Sequence, residues 1–218
     1  MTSPQQDAQQ RPLPTSQVAK RVAYSAAAGA AALAATTADA QISYSGVQDL
    51  AIGQFSSQSL NIDGDAYNDI LLKNYVFGGG NYQGATVAYA PGQLVGFTTG
   101  LTYATALSAG DPIDGSTVGP SFFGGLAYGA VNPDAQFNNA TDAYIGLSFP
   151  SGPDTYYGWI RVTIDNAAGT FVVNDWAYNT VSGAGIAAGQ TPEPGTLGLL
   201  AAGAAGLAAA RRRRQDAA

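Results

Sequence analysis

The densest run of oxygen-bearing side chains is Asn61-Ile62-Asp63-Gly64-Asp65-Ala66-Tyr67-Asn68-Asp69, with Asn61, Asp63 and Asp65 at alternate positions and Asp69 four residues on. Oxygen donors at that spacing wrap a hard cation. The two tryptophans, Trp159 and Trp176, are the other candidates for chemistry: with a ring face open to solvent, either would form a platform on which a sugar ring stacks. Catalytic residue types are scarce. Histidine and cysteine are absent, which excludes disulfides, thiolate or imidazole metal sites and His-based catalysis. Glu193 is the sole glutamate and Lys73 the sole internal lysine, so no nucleophile and base pair by type. A hydrolytic carboxyl pair would have to be drawn from aspartates alone.

The run Asn61 to Asp69 resembles the Asp-rich loops of calcium-binding repeats, in which side chains at the first, third, fifth and ninth positions and a carbonyl at the seventh supply oxygen ligands. On that resemblance the ligands of a Ca2+ cofactor would be Asn61, Asp63, Asp65, Asp69 and the Tyr67 carbonyl. Three departures set it apart from an EF-hand. The first position is Asn, the sixth is Ala66 where glycine permits the sharp turn, and the twelfth is Leu72 instead of glutamate. The strand-like Ile70-Leu71-Leu72 that follows is closer to the calcium loops of β-rich surface proteins. The same residues also read as a polar turn entering that strand, and both readings stand.

The elements that must position these residues are strands. From Gln41 to about Gln190, short runs of Val, Ile, Tyr, Phe and Thr alternate with clusters of Gly, Asn, Asp, Pro and Ser, without long helical periodicity. This predicts an all-β, β-sandwich-like domain over 41–190. Strands are expected at Ile70 to Phe77, Ala85 to Tyr89, Leu94 to Phe97, Tyr144 to Phe149, Tyr156 to Ile164 and Thr170 to Ala177. The last two form a hairpin through Asn166-Ala167-Ala168-Gly169. Period two puts Ile160, Val162 and Ile164 on one face and Trp159 with Arg161 on the other. That second face suits either a further packing layer or a ligand platform. Gly78-Gly79-Gly80 reads as a hairpin turn, and Asn139-Ala140-Thr141 as a loop.

Charge narrows the partners. Of nine basic residues, seven lie at the ends, and only Lys73 and Arg161 remain between Gln41 and Thr191. Eleven aspartates occupy the same stretch, so its net charge is 2 minus 11, or -9. Such a domain repels nucleic acid, which is excluded as a partner, and acidic membrane surfaces.

Both ends read as addresses. A polar segment ending in Lys20-Arg21 precedes the apolar stretch Val22 to Ala35, and Ala38-Asp39-Ala40 supplies the small residues of a signal peptidase site. Residues 1–40 are therefore expected to be a signal peptide, with cleavage between Ala40 and Gln41. At the other end Pro192-Glu193-Pro194 is followed by an apolar run, Thr196 to Ala210, and by Arg211, Arg212, Arg213 and Arg214. Prolines on both sides of Glu193 hold an extended segment. The apolar run reads as a single helix entering the inner membrane, with the arginines on the cytoplasmic side. It is shorter than the roughly 20 residues a span needs, so its hold is transient.

The tail, 191–218, resembles the PEP-CTERM sorting signal. That resemblance implies an exported protein of a Gram-negative bacterium, recognised and cut near Pro192-Glu193-Pro194 by exosortase, an integral membrane enzyme. Tyr157-Gly158-Trp159-Ile160-Arg161-Val162 with Asp175-Trp176-Ala177-Tyr178 also resembles a segment found in PEP-CTERM proteins, and implies no activity. The sequence therefore points to a non-enzymatic protein of the cell surface or exopolysaccharide matrix, with signal peptidase and exosortase as processing partners and exopolysaccharide as ligand. A calcium-assisted carbohydrate-binding module using Trp159 or Trp176, and an Asp-based hydrolase, are the alternatives.

Overall fold

The structure is a computed structural model in which residues 42–192 are described, all within one compact unit, Ala40–Pro192. Ala38, Ala40 and Gln41 of the signal peptidase site lie outside the described residues, as do Glu193, Pro194, the apolar run 196–210 and Arg211 to Arg214. Among the described residues no helix is long and apolar enough to cross a membrane.

Two six-stranded sheets bury their inward side chains in one core, the β-sandwich-like arrangement that alternating short strands favour. The first sheet runs β1 (Ile42–Tyr44), β13 (Thr170–Asn179), β12 (Asp154–Asp165), β11 (Asn139–Ser151) and β6 (Gln93–Leu94), with β2 (Leu50–Ala51) also paired to β13. The second runs β3 (Ser56–Leu60), β4 (Ile70–Phe77), β5 (Gly80–Val87), β10 (Phe123–Ala127), β8 (Leu101–Ala104) and β7 (Gly96–Thr99). All pairings are antiparallel except β10 with β8. A small ribbon of β9 (Pro112–Ile113) and β14 (Ile186–Ala187) stands apart. The helical content of the described residues is a single 3-10 turn, Gly129–Val131.

Strong period-two alternation marks the strands that build the core. Ile70 and Leu72 on β4, Ile145, Leu147 and Phe149 on β11, and Ile160, Val162 and Ile164 on β12 all point into it and are almost wholly buried. Each such side chain contributes about 1.5–3 kcal/mol relative to exposure. Two expectations need correction. Leu94 to Phe97 is not one strand, because β6 belongs to the first sheet and β7 to the second. The chain changes sheets at Val95, whose N–H donates to Gly146 O at 2.8 Å while its carbonyl accepts from Thr105 N–H at 2.9 Å. Asn139-Ala140-Thr141 is not a loop; it opens β11, where pairing with β12 slips by one residue between Ala140 and Ala143.

The first sheet buries its other face as well. Val95, Leu107, Ile113, Tyr157, Trp159, Ala177 and Ile186 form a second cluster there, roofed by the β9–β14 ribbon. Gly146 on β11 admits this roof, since a Cβ at that position would lie 2.7 Å from Val95 Cγ2 and 2.8 Å from Leu107 Cδ1.

A buried chain of amides ties the two sheets together at one end. Asn166 Nδ2 donates to Gln83 Oε1 (2.7 Å), Gln83 Nε2 to Asn74 Oδ1 (2.8 Å), and Asn74 Nδ2 to the carbonyls of Ile52 (2.7 Å) and Gly169 (2.9 Å). Asn74 and Gln83 are inaccessible to water and sit opposite each other on β4 and β5, while Asn166 and Gly169 form the β12–β13 turn. A fully connected network of this kind is stabilising, and a broken one is costly, because each orphaned buried group carries its own desolvation penalty. Asn74→Ala orphans two carbonyls and the Gln83 amide. It is expected to lower the unfolding free energy of the intact chain in urea by about 3 kcal/mol. Gln54→Ala, at the exposed edge of the same network, should change it by under about 0.5 kcal/mol. Equal effects of the two would contradict the network's role.

Candidate functional site

Asn61 to Asp69 connects β3 to β4 and folds as overlapping Asx turns. Gly64 N–H donates to Asn61 Oδ1 (2.7 Å), Asp65 N–H to Asp63 Oδ1 (3.1 Å) and Tyr67 N–H to Asp65 Oδ1 (2.6 Å). Asn61 Nδ2 returns a bond to the Asp65 carbonyl at 2.6 Å. This is the local competition with regular structure that Asn and Asp side chains make. Asp69 turns inward instead, and its Oδ2 accepts from Ile62 N–H at 2.6 Å. These are the hydrogen bonds of a polar turn. Among the described residues no three carboxylates converge tightly enough to hold a metal ion.

Burial pushes the Asp69 carboxyl up to about 6, with Asp63 and Asp65 adding to the rise and the Ile62 hydrogen bond opposing it. The side chain is 3 % exposed. Protonation is therefore the cheaper way to keep this carboxyl inside, a consequence of removing a charge from water.

The tryptophans occupy opposite faces of the first sheet. Trp159 pairs with Ala177 and points into the second cluster, 1 % exposed, with Tyr44 and Tyr144 rings at 6.1 and 5.3 Å. Its indole N–H donates to the Gln190 carbonyl at 3.0 Å, holding the last turn of the domain. Trp176 pairs with Ile160 and packs, half-buried, against the main core. The expectation is corrected for Trp159, which packs inside the second cluster. Trp159 has no ring face open to a ligand because the β9–β14 ribbon covers it, whereas Trp176 on the opposite face stays partly exposed.

Arg161, on the same face as Trp159, is the centre of a charge cluster. It donates from Nε to Asp175 Oδ1 (2.9 Å), from Nη2 to Asp175 Oδ2 (2.5 Å) and from Nη1 to Asp142 Oδ1 (3.2 Å). Tyr44 O–H adds a bond to Asp175 Oδ2 at 2.8 Å, and Asn174 Nδ2 one to Asp142 Oδ1 at 3.0 Å. The fork on Asp175 holds the Arg161 proton more tightly than usual, and the Asp175 bond likewise raises the Tyr44 hydroxyl above its ordinary range. Both acidic partners sit at irregularities. Asp142 lies in the β11 bulge with φ 53, and the β12–β13 register slips beside Asn174. Phe171 and Val173 face the main core before that slip, and Trp176 and Tyr178 face it after, so Asp175 is turned out of the main core toward Arg161.

What strand periodicity could not reveal is a pair of loop tyrosines. Tyr67 and Tyr89 are 63 % and 50 % exposed, edge to face at 6.0 Å, and flank a hollow of about 300 Å³ with Asp65, Ala90, Pro150, Ser151 and Gly152. Tyr67 lies inside the Asn61–Asp69 loop, where the sequence drew attention to its carbonyl and not its ring. The one available signal for Tyr89 is its place before Ala90-Pro91-Gly92, a turn sequence that projects the preceding residue from a strand end.

Residues 190–214 match the family model of the PEP-CTERM protein-sorting motif. No curated protein and no solved structure matches the chain.

Two outcomes are expected from the charged groups. Arg161→Met leaves Asp175 buried without its partner and should cost about 3 kcal/mol in chemical unfolding, with more than half regained when Asp175→Leu is added. A double variant no better than the single one would contradict this. For Asp69 the folded-state proton is held more tightly than the unfolded one, so its contribution is fully present below about pH 4 and lost as pH rises to about 6. The stability of Asp69→Asn relative to the parent should thus rise by roughly 2–3 kcal/mol between pH 4 and pH 7. A flat difference across that range would rule out the shift.

Proposed function

We propose that this chain, which carries a PEP-CTERM sorting motif at residues 190–214, is exported, cut at both ends and delivered to the cell surface or exopolysaccharide matrix as a non-enzymatic protein. The sorting motif is the observation that carries the reading. It joins directly to a folded β domain whose last turn is clamped by Trp159 onto Gln190, so the Pro192-Glu193-Pro194 segment begins where the compact unit ends. The N-terminal order of basic pair, apolar stretch and Ala38-Asp39-Ala40 supplies the matching export address. In this scheme the apolar run 196–210 holds the intermediate in the inner membrane until exosortase acts, as a transient hydrophobic tail does in other lipid-side sorting reactions.

The non-enzymatic reading is supported by residue types and by the work the buried carboxylates already do. Asp69 holds the Ile62 backbone and Asp175 is forked by Arg161. An Asp-based hydrolase needs two carboxyl groups positioned at a shared cleft, and these two are committed to structure.

The intact mass of the protein from membrane and extracellular fractions of its host, with and without exosortase, tests the proposal. The expected product starts at Gln41 and ends close to Pro194 only in the exosortase-containing strain. A C-terminus running to Ala218 in both strains would make the tail a plain anchor and overturn the sorting reading.

A further inference from the structure

We propose that the Tyr67–Tyr89 hollow is one end of a binding trough for an uncharged polysaccharide. This rests on the matrix reading above and names the polymer chemistry that reading requires. The hollow adjoins a second one of about 380 Å³, lined by Ala90, Pro91, Gly92, Gln93, Pro120, Ser121 and Phe122, and Ala90 belongs to both. Exposed rings line both hollows. Tyr67 and Tyr89 line the first; Phe122 lines the second and, about half exposed, meets Phe123 edge to face at 5.3 Å. Volumes of this order fall at the lower end of small-molecule sites, roughly 300–1,000 Å³, and two that share a wall residue suit successive units of a polymer.

The chemistry selects sugar rings. Aromatic and proline faces offer apolar surface to the C–H side of a pyranose, while Gln93, Ser121, Ser151 and the carboxylate of Asp65 offer hydrogen-bonding groups to hydroxyls. Asp65 is the one charged residue of the lining, and the domain around it carries 2 basic and 11 acidic residues, or -9. Charge therefore works against a polyanion and leaves a neutral chain favoured.

Both tyrosines are set on rigid bases before any ligand arrives. Tyr67 N–H is held by Asp65 Oδ1, and the Tyr89 carbonyl accepts from Gly92 N–H at 2.9 Å. Gly92 is pressed against Val87 and the Ser148 carbonyl of β11 with no room for a Cβ, which fixes the turn carrying Tyr89. A fixed backbone of this kind reduces the freedom lost on binding.

Affinity electrophoresis of the intact chain in detergent tests the proposal, using gels cast with hydroxyethylcellulose, galactomannan, alginate or the neutral fraction of the host's own exopolysaccharide. Retardation is expected in at least one neutral gel and not in alginate, with the dissociation constant raised at least tenfold by Tyr67→Ala and by Tyr89→Ala. Phe77→Ala, an exposed aromatic outside the trough, should leave it within twofold. Migration unchanged in every neutral gel, or retardation indifferent to both tyrosine variants, would overturn the trough. So would self-association in sedimentation that the same variants abolish, since that assigns the surface to a second copy. A chain that reaches the matrix but binds no neutral polymer removes this inference alone; a chain never found outside the cell removes the reading beneath it.

Discussion

Asp175 is a carboxylate almost wholly removed from water in a domain with only two basic residues, and that constraint organises the first sheet. Lys73 is engaged elsewhere, with Thr86 on β5 at 2.9 Å, so the charge must be met by Arg161 on the adjacent strand. A planar guanidinium can grip both carboxylate oxygens at once, which a lysine cannot. To bring Asp175 to that side of the sheet, β13 slips by one residue at Asn174; without the slip the carboxylate would follow Phe171 and Val173 into the main core. The same slip turns Ala177 outward beneath the ribbon and sends Trp176 inward. The two tryptophans are separated by this one irregularity.

The consequences spread to the rest of the domain by packing. Where β12 and β13 carry Tyr157, Trp159 and Ala177 on their outer face, that apolar patch needs a cover, and the short β9–β14 ribbon supplies it around Trp159. The second sheet covers one side and two strands of two residues each cover part of the other. It works because Trp159 fills the space between them and because its N–H finds the Gln190 carbonyl, leaving no buried donor unpaired. At the other end the amide chain from Asn166 through Gln83 to Asn74 joins the sheets by direction-dependent bonds. Apolar contact alone would tolerate a shift in their relative register, whereas these bonds do not.

Polar residues left over from these tasks lie at the surface, and there the loop from Asn61 to Asp69 has a double role. Its carboxylates cap backbone N–H groups within the loop, and its one inward member, Asp69, anchors the loop to the start of β4. The loop is thereby stiff enough to present the Tyr67 ring beside Tyr89. The run whose spacing suggests a cation site thus also shapes the backbone, and the ring of Tyr67, first noticed for its carbonyl, meets solvent.

Much of this was legible in the sequence where the signal is local. The Ile70 to Phe77 strand and the hairpin through Asn166 to Gly169 follow from period-two alternation and turn residues alone, because both are set by neighbours within a few positions. The sorting tail is legible for the same reason, its prolines, apolar run and arginines being contiguous. Strands of two residues, such as Leu50–Ala51, Pro112–Ile113 and Ile186–Ala187, have no periodicity to read and exist only because distant partners supply their hydrogen bonds. Which face of Trp159 would be covered, where β13 would slip, and that Tyr67 and Tyr89 would meet at one hollow were decided by tertiary structure. Each depends on chain segments 14 or more residues apart in sequence, and burial is a property of what packs against a residue rather than of the residue itself.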